Sequence, residues 1–295
     1  MRVATIDIGT NTVLLLVAQG EGADLSPVRE RATITRLGEG VDKTGRLSDA
    51  AIERTLAALA DYAEQVRAIG AERIAVVGTS AMRDARGGDK IREFVSSAFG
   101  VQARVIPGDE EARLTFRGAL SGLPLDAGAQ HVVFDIGGGS TEVVIGQADR
   151  IAWARSFDVG SVRLTERHGE DRAALEHAAS EALSPVPALP AQSCPVGIAG
   201  TMTTLAAVSL RMTTYDAARV HGHVMQTAEL ARVVEQLASL PHEDRKKVAG
   251  MEPKRADVIV AGGFIALALL RRWGASEVRI SDRGVRWGLA IELAS

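Results

Sequence analysis

Apolar runs alternate with amphipathic segments along the whole chain. One apolar run ends near Asp7 and is followed by a small polar turn and a second β-branched run, and the same order recurs around Asp135. This order predicts a β-hairpin at each of the two places. Helical apolar spacing and further short apolar runs follow each hairpin, so the pattern predicts an α/β fold.

Capping residues define the first long helix. Ser48 is a candidate N-cap, apolar residues recur at helical spacing from Ile52 to Val66, and Gly70 is a stop signal. The same reasoning predicts further helices at 89–99, 109–120, 171–183, 201–210, 227–240, 255–272 and from about 284. It predicts strands at 73–78, 101–106, 150–157, 195–199 and 278–281.

The repeated hairpin divides the chain into two halves. At about 150 residues per domain, 295 residues are enough for two domains with their own cores. We expect a first domain at 1–120 and a second at 121–295. The last helix, about 284–295, could pack on the first domain instead of the second.

Composition excludes several classes of protein. With 46% hydrophobic and 24% charged residues, the chain is globular rather than disordered. The single cysteine, Cys194, excludes an intramolecular disulfide and fits a reducing, cytoplasmic compartment. The longest uncharged apolar stretch, 258–270, is too short to cross a bilayer, and Asp7 interrupts the first apolar run, so we expect neither a membrane partner nor a signal peptide. The net charge of −3 argues against DNA binding.

Glycine is unusually frequent, at 30 residues, and two glycine turns stand in matching places. They are Gly9, Thr10, Asn11 and Thr12, and Gly137, Gly138, Gly139, Ser140 and Thr141. Glycine permits positive φ, so that successive N–H groups converge on an anion, and the hydroxyls add donors. The neighbouring Asp repels a bare phosphate but suits a divalent cation placed between them. Neither turn has the lysine of a Walker A loop or the third glycine of a dinucleotide fingerprint, and each alone could be only a hairpin turn.

The two hairpins resemble the phosphate motifs of the acetate and sugar kinase, Hsp70 and actin superfamily. More narrowly, the sequence is similar to the exopolyphosphatase and guanosine pentaphosphate phosphohydrolase (Ppx/GppA phosphatase) family, in a short form. The most specific matches are Glu-Glu-Ala-Arg-Leu at 110–114 and the segment from Asp135 to Glu142. Other matching segments lie at 6–12, 78–83, 160–166, 200–205, 220–223 and 255–262. The resemblance implies two ribonuclease H-like (actin-like ATPase superfamily) domains with a cleft between them.

Some positions depart from the family pattern. Thr10 and Thr12 stand where the family usually has Ser, which keeps the hydroxyls. The stretch 85–88 lacks the Asn that often follows Arg83, and Trp287 stands where many members have Glu.

The resemblance implies roles for single residues in the hydrolysis of a terminal phosphate. Glu111 would be the base that activates water; without the family match, it and Glu110 are ordinary helix charges about 100° apart. Asp7, Asp135 and Glu142 would hold Mg²⁺ or Mn²⁺. The expected phosphate-binding residues are those of the two glycine turns together with Arg83, Gly200 and Thr201.

Other residues keep more than one interpretation. Arg113, Arg163 and Arg255 are either part of a track for a polyanion or ordinary solvated charges. His221 and His223 lack further ligands at zinc spacing, which leaves a phosphate contact or a structural hydrogen bond.

The expected activity is metal-dependent release of the terminal phosphate from inorganic polyphosphate. Hydrolysis of guanosine pentaphosphate is the alternative within the same chemistry. A small-metabolite kinase and a non-catalytic sensor of polyphosphate or alarmones are the less favoured classes, and a homodimer stays open.

Overall fold

The structure, a computed structural model, describes residues 1–126, 128–147 and 150–295. These residues divide into two compact units, Met1–Ser121 with Val285–Ser295, and Gly122–Gly284. Each unit is built on one mixed β-sheet with helices packed against it, which confirms the expected α/β class.

The first unit has five strands and six helices in its described residues. The strands are β1 (Arg2–Ile8), β2 (Thr12–Glu21), β3 (Asp24–Ile34), β4 (Arg73–Gly78) and β5 (Ala103–Val105). The helices are α1 (Val41–Thr44), α2 (Asp49–Ile69), α3 (Ser80–Asp84), α4 (Asp89–Phe99), α5 (Gly108–Leu120) and, at the end of the chain, α13 (Val285–Ala294).

The sheet of the first unit has the order β3-β2-β1-β4-β5. β1, β2 and β3 are antiparallel neighbours, whereas β1, β4 and β5 run parallel. Side chains alternate between the two faces of β1: Ala4 and Ile6 join the core formed with α2 and α4, whereas Val3 packs with α13 on the other face. Burial of both faces explains why β1 is apolar almost throughout.

Polar contacts fasten α13 to the sheet of the first unit. The Thr5 hydroxyl donates to the carbonyl of Arg286 at 2.8 Å. Glu30 on β3 accepts from the indole Nε1 of Trp287 at 3.0 Å and from the Arg286 guanidinium at 3.2 Å. Trp287, which departs from the family pattern, is therefore a buried anchor of the last helix.

The second unit has six strands and seven helices in its described residues. The strands are β6 (His131–Ile136), β7 (Thr141–Gln147), β8 (Arg150–Phe157), β9 (Val196–Ile198), β10 (Val224–Gln226) and β11 (Glu277–Ile280). The helices are α6 (Ser161–His168), α7 (Arg172–Ala182), α8 (Ala199–Ser209), α9 (Ala217–Val220), α10 (Thr227–Ser239), α11 (His242–Arg245) and α12 (Ile259–Trp273).

The second sheet repeats the topology of the first. Its order is β10-β11-β9-β6-β7-β8, and β6, β9 and β11 are parallel while β7 and β8 are antiparallel. Read from β8 to β11, this is the same hairpin-and-crossover order as β3 to β5, with β10 added at the edge. Two sheets of one topology confirm the ribonuclease H-like architecture.

Most predicted elements are present. Ser48 caps α2 by accepting from the Ala51 N–H at 3.2 Å, and Gly70 ends it with φ 73°. The predicted helix at 255–272 begins too early, because Pro253–Arg255 forms a separate 3₁₀ turn. β3, α6 and β10 were not predicted; β3 is a charged edge strand with one buried residue, so it lacks an apolar signal.

None of the helices in the described ranges is both long enough and apolar enough to cross a bilayer.

Candidate active site

In the first unit, the residues expected to handle phosphate lie at one edge of the sheet. β1, β4 and β5 are parallel, so their carboxyl ends share that edge. The Thr79 N–H donates to the Ile8 carbonyl at 3.2 Å, and the Ile106 N–H donates to Gly78 at 3.1 Å, which joins the three strand ends. This edge therefore carries Asp7, Gly9, Thr10, Asn11, Thr12, Arg83 and Glu111.

The corresponding edge of the second unit carries the other half of the expected residues. Asp135 pairs with Ile198 at the ends of the parallel strands β6 and β9, and the Thr201 hydroxyl donates to the Ile136 carbonyl at 3.1 Å. This edge carries Asp135, Gly137, Gly138, Gly139, Ser140, Thr141, Glu142, Gly200 and Thr201.

The two glycine turns close in the same way. The Gly9 N–H donates to the Thr12 carbonyl at 3.1 Å, and the Gly137 N–H donates to the Ser140 carbonyl at 3.0 Å. A Cβ at Gly9 would lie 2.9 Å from the Thr12 carbonyl oxygen, and a Cβ at Gly137 would lie 3.2 Å from the Ser140 carbonyl oxygen. The turn glycines do not adopt the positive φ that the sequence predicted. Gly9 and Gly137 are favoured because the Thr12 and Ser140 carbonyls approach them too closely for a side chain.

Helix α6 orients the second turn. Its first residues donate to three successive turn carbonyls: Ser161 N–H to Gly137 at 2.9 Å, Val162 N–H to Gly138 at 2.9 Å and Arg163 Nε to Gly139 at 2.7 Å. Because C=O and N–H point in opposite directions across a trans peptide, the N–H groups of Gly138, Gly139 and Ser140 point away from α6. Among the described residues these three N–H groups have no acceptor. They form a row of backbone donors suited to an anion.

The first turn is oriented by the segment that follows β3. The Asn11 carbonyl accepts from Thr35 and Arg36, both at 3.0 Å, and the Thr10 carbonyl accepts from Gly38 at 2.8 Å. The Asn11 side chain is buried, and its Nδ2 has no hydrogen-bond partner within the described part of the chain. A buried amide donor of this kind is costly unless an acceptor binds there.

A pair of carboxylates distinguishes the second hairpin. Asp135 on β6 lies directly opposite Glu142 on β7. Both side chains therefore lie on one face of the sheet, with their Cβ atoms about 5 Å apart. Glu142 is buried and its Oε1 accepts from the Ser156 hydroxyl at 2.6 Å. Two carboxylates so placed repel each other, and a bound cation offsets that repulsion.

The carboxylate pair fits Mg²⁺, which is commonly held by one or two carboxylates with water and substrate phosphate oxygens as the other ligands. No group of three or more His, Cys, Asp or Glu side chains in the described ranges could hold a metal ion by itself. In the first hairpin, Leu14 occupies the place opposite Asp7.

Glu111 and Arg83 are in direct contact. Arg83 donates from NH1 to Glu111 Oε2 at 2.9 Å and to the Ile106 carbonyl at 3.1 Å. Glu111 is 7% exposed, whereas the neighbouring Glu110 turns outward and pairs with Arg104 at 2.9 Å. The guanidinium holds the Glu111 carboxylate at this edge of the sheet, where a general base would have to lie.

The guanidinium of Arg255 lies against Gly200, at the start of α8 in the second unit. A Cβ at Gly200 would overlap its guanidinium. Burial lowers the pKa of Arg255, while Glu252 and Tyr215 act in the opposite direction. A cation beside the positive end of a helix favours a bound anion.

The other candidate groups have structural contacts. Arg113 pairs with Glu292 of α13, and Arg163 donates to the Gly139 carbonyl of the second turn. Of the three candidate arginines, Arg255 is the one that packs over Gly200. His221 Nδ1 is 3.2 Å from the Ser281 hydroxyl, which supports a structural hydrogen bond.

Comparison with known proteins identifies the family. The model of the Ppx/GppA phosphatase family matches residues 15–295. Exopolyphosphatase 2 of Mycobacterium tuberculosis is 41% identical, with 99% of this chain and 98% of the relative covered. The guanosine-5'-triphosphate,3'-diphosphate pyrophosphatase of Photobacterium profundum is 28% identical, with 99% of this chain but 59% of the relative covered. A solved structure of the Aquifex aeolicus PPX-GPPA enzyme is 34% identical, with a TM-score of 0.83 and 99% of each chain covered. The chain therefore belongs to the Ppx/GppA phosphatase family.

Proposed function

We propose that this protein is a metal-dependent exopolyphosphatase that hydrolyses the terminal phosphoanhydride bond of inorganic polyphosphate. The contact between Arg83 and the buried Glu111 carries the proposal, because it holds a carboxylate at the edge where the first glycine turn lies. The name of the Mycobacterium tuberculosis relative supports the same chemistry.

In this proposal Glu111 is the general base. A water molecule gives its proton to a Glu111 carboxylate oxygen while the water oxygen attacks the terminal phosphorus. The bond from that phosphorus to the bridging oxygen breaks, and the bridging oxygen leaves with the electron pair as the new end of the chain. Orthophosphate and a chain shorter by one phosphate are the products.

In this proposal the two turns bind the phosphates of the substrate, and Arg83 orients the base. Backbone N–H groups of Gly138, Gly139 and Ser140 donate to phosphate oxygens, and the Asn11 amide does so from the first turn. Arg83 orients the Glu111 carboxylate and adds positive charge for the phosphoryl oxygens.

Asp135 and Glu142 of the second hairpin would hold Mg²⁺ or Mn²⁺. The ion, when bound, neutralises charge on the phosphoryl oxygens.

Guanosine pentaphosphate is the second candidate substrate. It ends in the same kind of phosphoanhydride, and the name of the Photobacterium profundum relative favours it. Phosphate release from short polyphosphate, long polyphosphate and guanosine pentaphosphate, measured side by side with Mg²⁺, ranks the substrates.

The substitution Glu111→Gln tests the role of the base. It removes the proton acceptor with little change in volume, so kcat should fall by about a hundredfold to ten-thousandfold. Substrate binding, measured by calorimetry, should change by less than about tenfold, since one hydrogen bond at most is altered.

The matched control is Glu110→Gln, which changes the neighbouring carboxylate that pairs with Arg104. It should keep kcat within about twofold, because a partly exposed ion pair contributes little. Wild-type activity in Glu111→Gln would contradict the assignment of the base.

A further inference from the structure

The loop from α8 to α9 in the second unit presents an aromatic ring to solvent. Tyr215 is 49% exposed, and among the described large hydrophobic residues only Val28 is also exposed. A single exposed tyrosine is ordinary by itself. The fixed loop around Tyr215 and the hydrogen bond of its hydroxyl distinguish this tyrosine from an ordinary exposed one.

The loop around Tyr215 is held at both ends. The Met212 N–H donates to the Ala207 carbonyl at 3.0 Å, and the Met212 side chain is buried in the core of the unit. Asp216 caps α9 by accepting from the Ala218 N–H at 3.0 Å. The ring therefore stands on a fixed segment, and a ligand that binds it has little loop entropy to remove.

The Tyr215 hydroxyl is fixed at the strand edge that carries the anion-binding groups of this unit. It donates to Asp282 Oδ1, and Asp282 directly follows Ser281 at the end of β11. Burial lowers the pKa of Arg255, and Tyr215 acts on that pKa in the opposite direction. The Ser281 N–H donates to the Gly197 carbonyl at 3.0 Å, which joins the end of β11 to the end of β9, and Arg255 packs over Gly200 just beyond β9.

A phosphate chain cannot use an aromatic face, whereas a nucleobase can stack on it. We propose that the Tyr215 ring is the stacking platform for the base of a nucleoside polyphosphate. The anion-binding groups at the same edge take its phosphates. This inference rests on the proposed function and deepens it, because it gives the protein a means to prefer a nucleotide substrate over inorganic polyphosphate.

Calorimetry with two probes tests the inference. GTP carries the base and inorganic tripolyphosphate does not, and both are titrated in the presence of Mg²⁺ into Glu111→Gln protein, which prevents turnover. Stacking predicts that GTP binds roughly tenfold more tightly than tripolyphosphate. Adding Tyr215→Ala should remove this preference and leave tripolyphosphate binding within about twofold.

Two further substitutions separate stacking from general damage. Tyr215→Trp keeps an aromatic face and should keep the preference for GTP. Val28→Ala truncates the other exposed apolar side chain, which lies in the first unit, and should change neither affinity. Equal binding of the two probes, or an equal loss of both in Tyr215→Ala, overturns the inference.

Turnover in the otherwise wild-type protein adds a second readout. Tyr215→Ala should raise KM for guanosine pentaphosphate about tenfold and leave KM for polyphosphate unchanged. Absence of phosphate release from every substrate would overturn the proposed function, whereas the calorimetric ratio still decides the role of Tyr215.

Discussion

The hairpins β1/β2 and β6/β7 have the same backbone hydrogen-bonding pattern but differ in their side chains. In both, an Asp precedes the turn, a four-residue loop follows, and the first loop N–H bonds the last loop carbonyl. Opposite Asp7 stands Leu14, but opposite Asp135 stands Glu142. Only the second hairpin places two carboxylates opposite each other. In the proposed mechanism both turns would bind phosphate, whereas the second hairpin alone would hold the metal ion.

The substitution Glu142→Leu gives the second hairpin the pattern of the first. Loss of one carboxylate from the pair should weaken Mg²⁺ binding, and kcat should fall by about a thousandfold, since a metal supplies several kcal/mol of transition-state stabilisation. Phosphate release measured across a range of Mg²⁺ concentrations checks this.

The control for Glu142→Leu is Ser156→Ala, which removes the hydroxyl that donates to Glu142 but keeps the carboxylate. It should cost less than about tenfold in kcat, the value of one hydrogen bond to a charged group. An unchanged Mg²⁺ response in Glu142→Leu would mean that the two hairpins do not differ in metal binding.

The substitution Asn11→Gly gives the first turn the residue that the second has at Gly139. It removes the buried Nδ2 donor, so KM for polyphosphate should rise about tenfold, the value of one hydrogen bond to a charged group. Gln19→Ala, which lies on β2 far from the turn, should leave KM unchanged. If Asn11→Gly left KM at the wild-type value, the amide would have no part in phosphate binding.

Paired alanine substitutions compare how tightly the turns are closed. Gly9→Ala places a Cβ 2.9 Å from a carbonyl oxygen, whereas Gly137→Ala places it at 3.2 Å. We expect Gly9→Ala to lower the free energy of unfolding by about 1 kcal/mol and Gly137→Ala to lower it less, because the first turn must shift further. Urea denaturation of both variants gives the order, and the reverse order would show that the second turn is the tighter one.

Local signals made the hairpins and the long helices predictable from the sequence. The apolar runs that flank Gly9 and Gly137 form strands whichever way the rest of the chain folds, and Ser48 and Gly70 define α2 through contacts within a few residues. β3 escaped prediction because it is charged and lies at the sheet edge.

Contacts between distant segments could not be predicted in the same way. The pairing of Arg83 with Glu111 exists because the parallel strands β4 and β5 bring two loops to one edge. The sequence gives both residues a role but does not indicate that they touch. The position of Arg255 over Gly200 likewise depends on tertiary packing. From the sequence alone, Arg255 could not be distinguished from Arg113 and Arg163, which have other contacts in the structure.

Hydrolysis of polyphosphate in ¹⁸O-labelled water tests the central claim most directly. If water activated by Glu111 attacks the terminal phosphorus, each released orthophosphate carries one ¹⁸O, the shortened chain carries none, and Glu111→Gln releases almost no orthophosphate. Label in the shortened chain, or orthophosphate released at the wild-type rate by Glu111→Gln, would contradict the account.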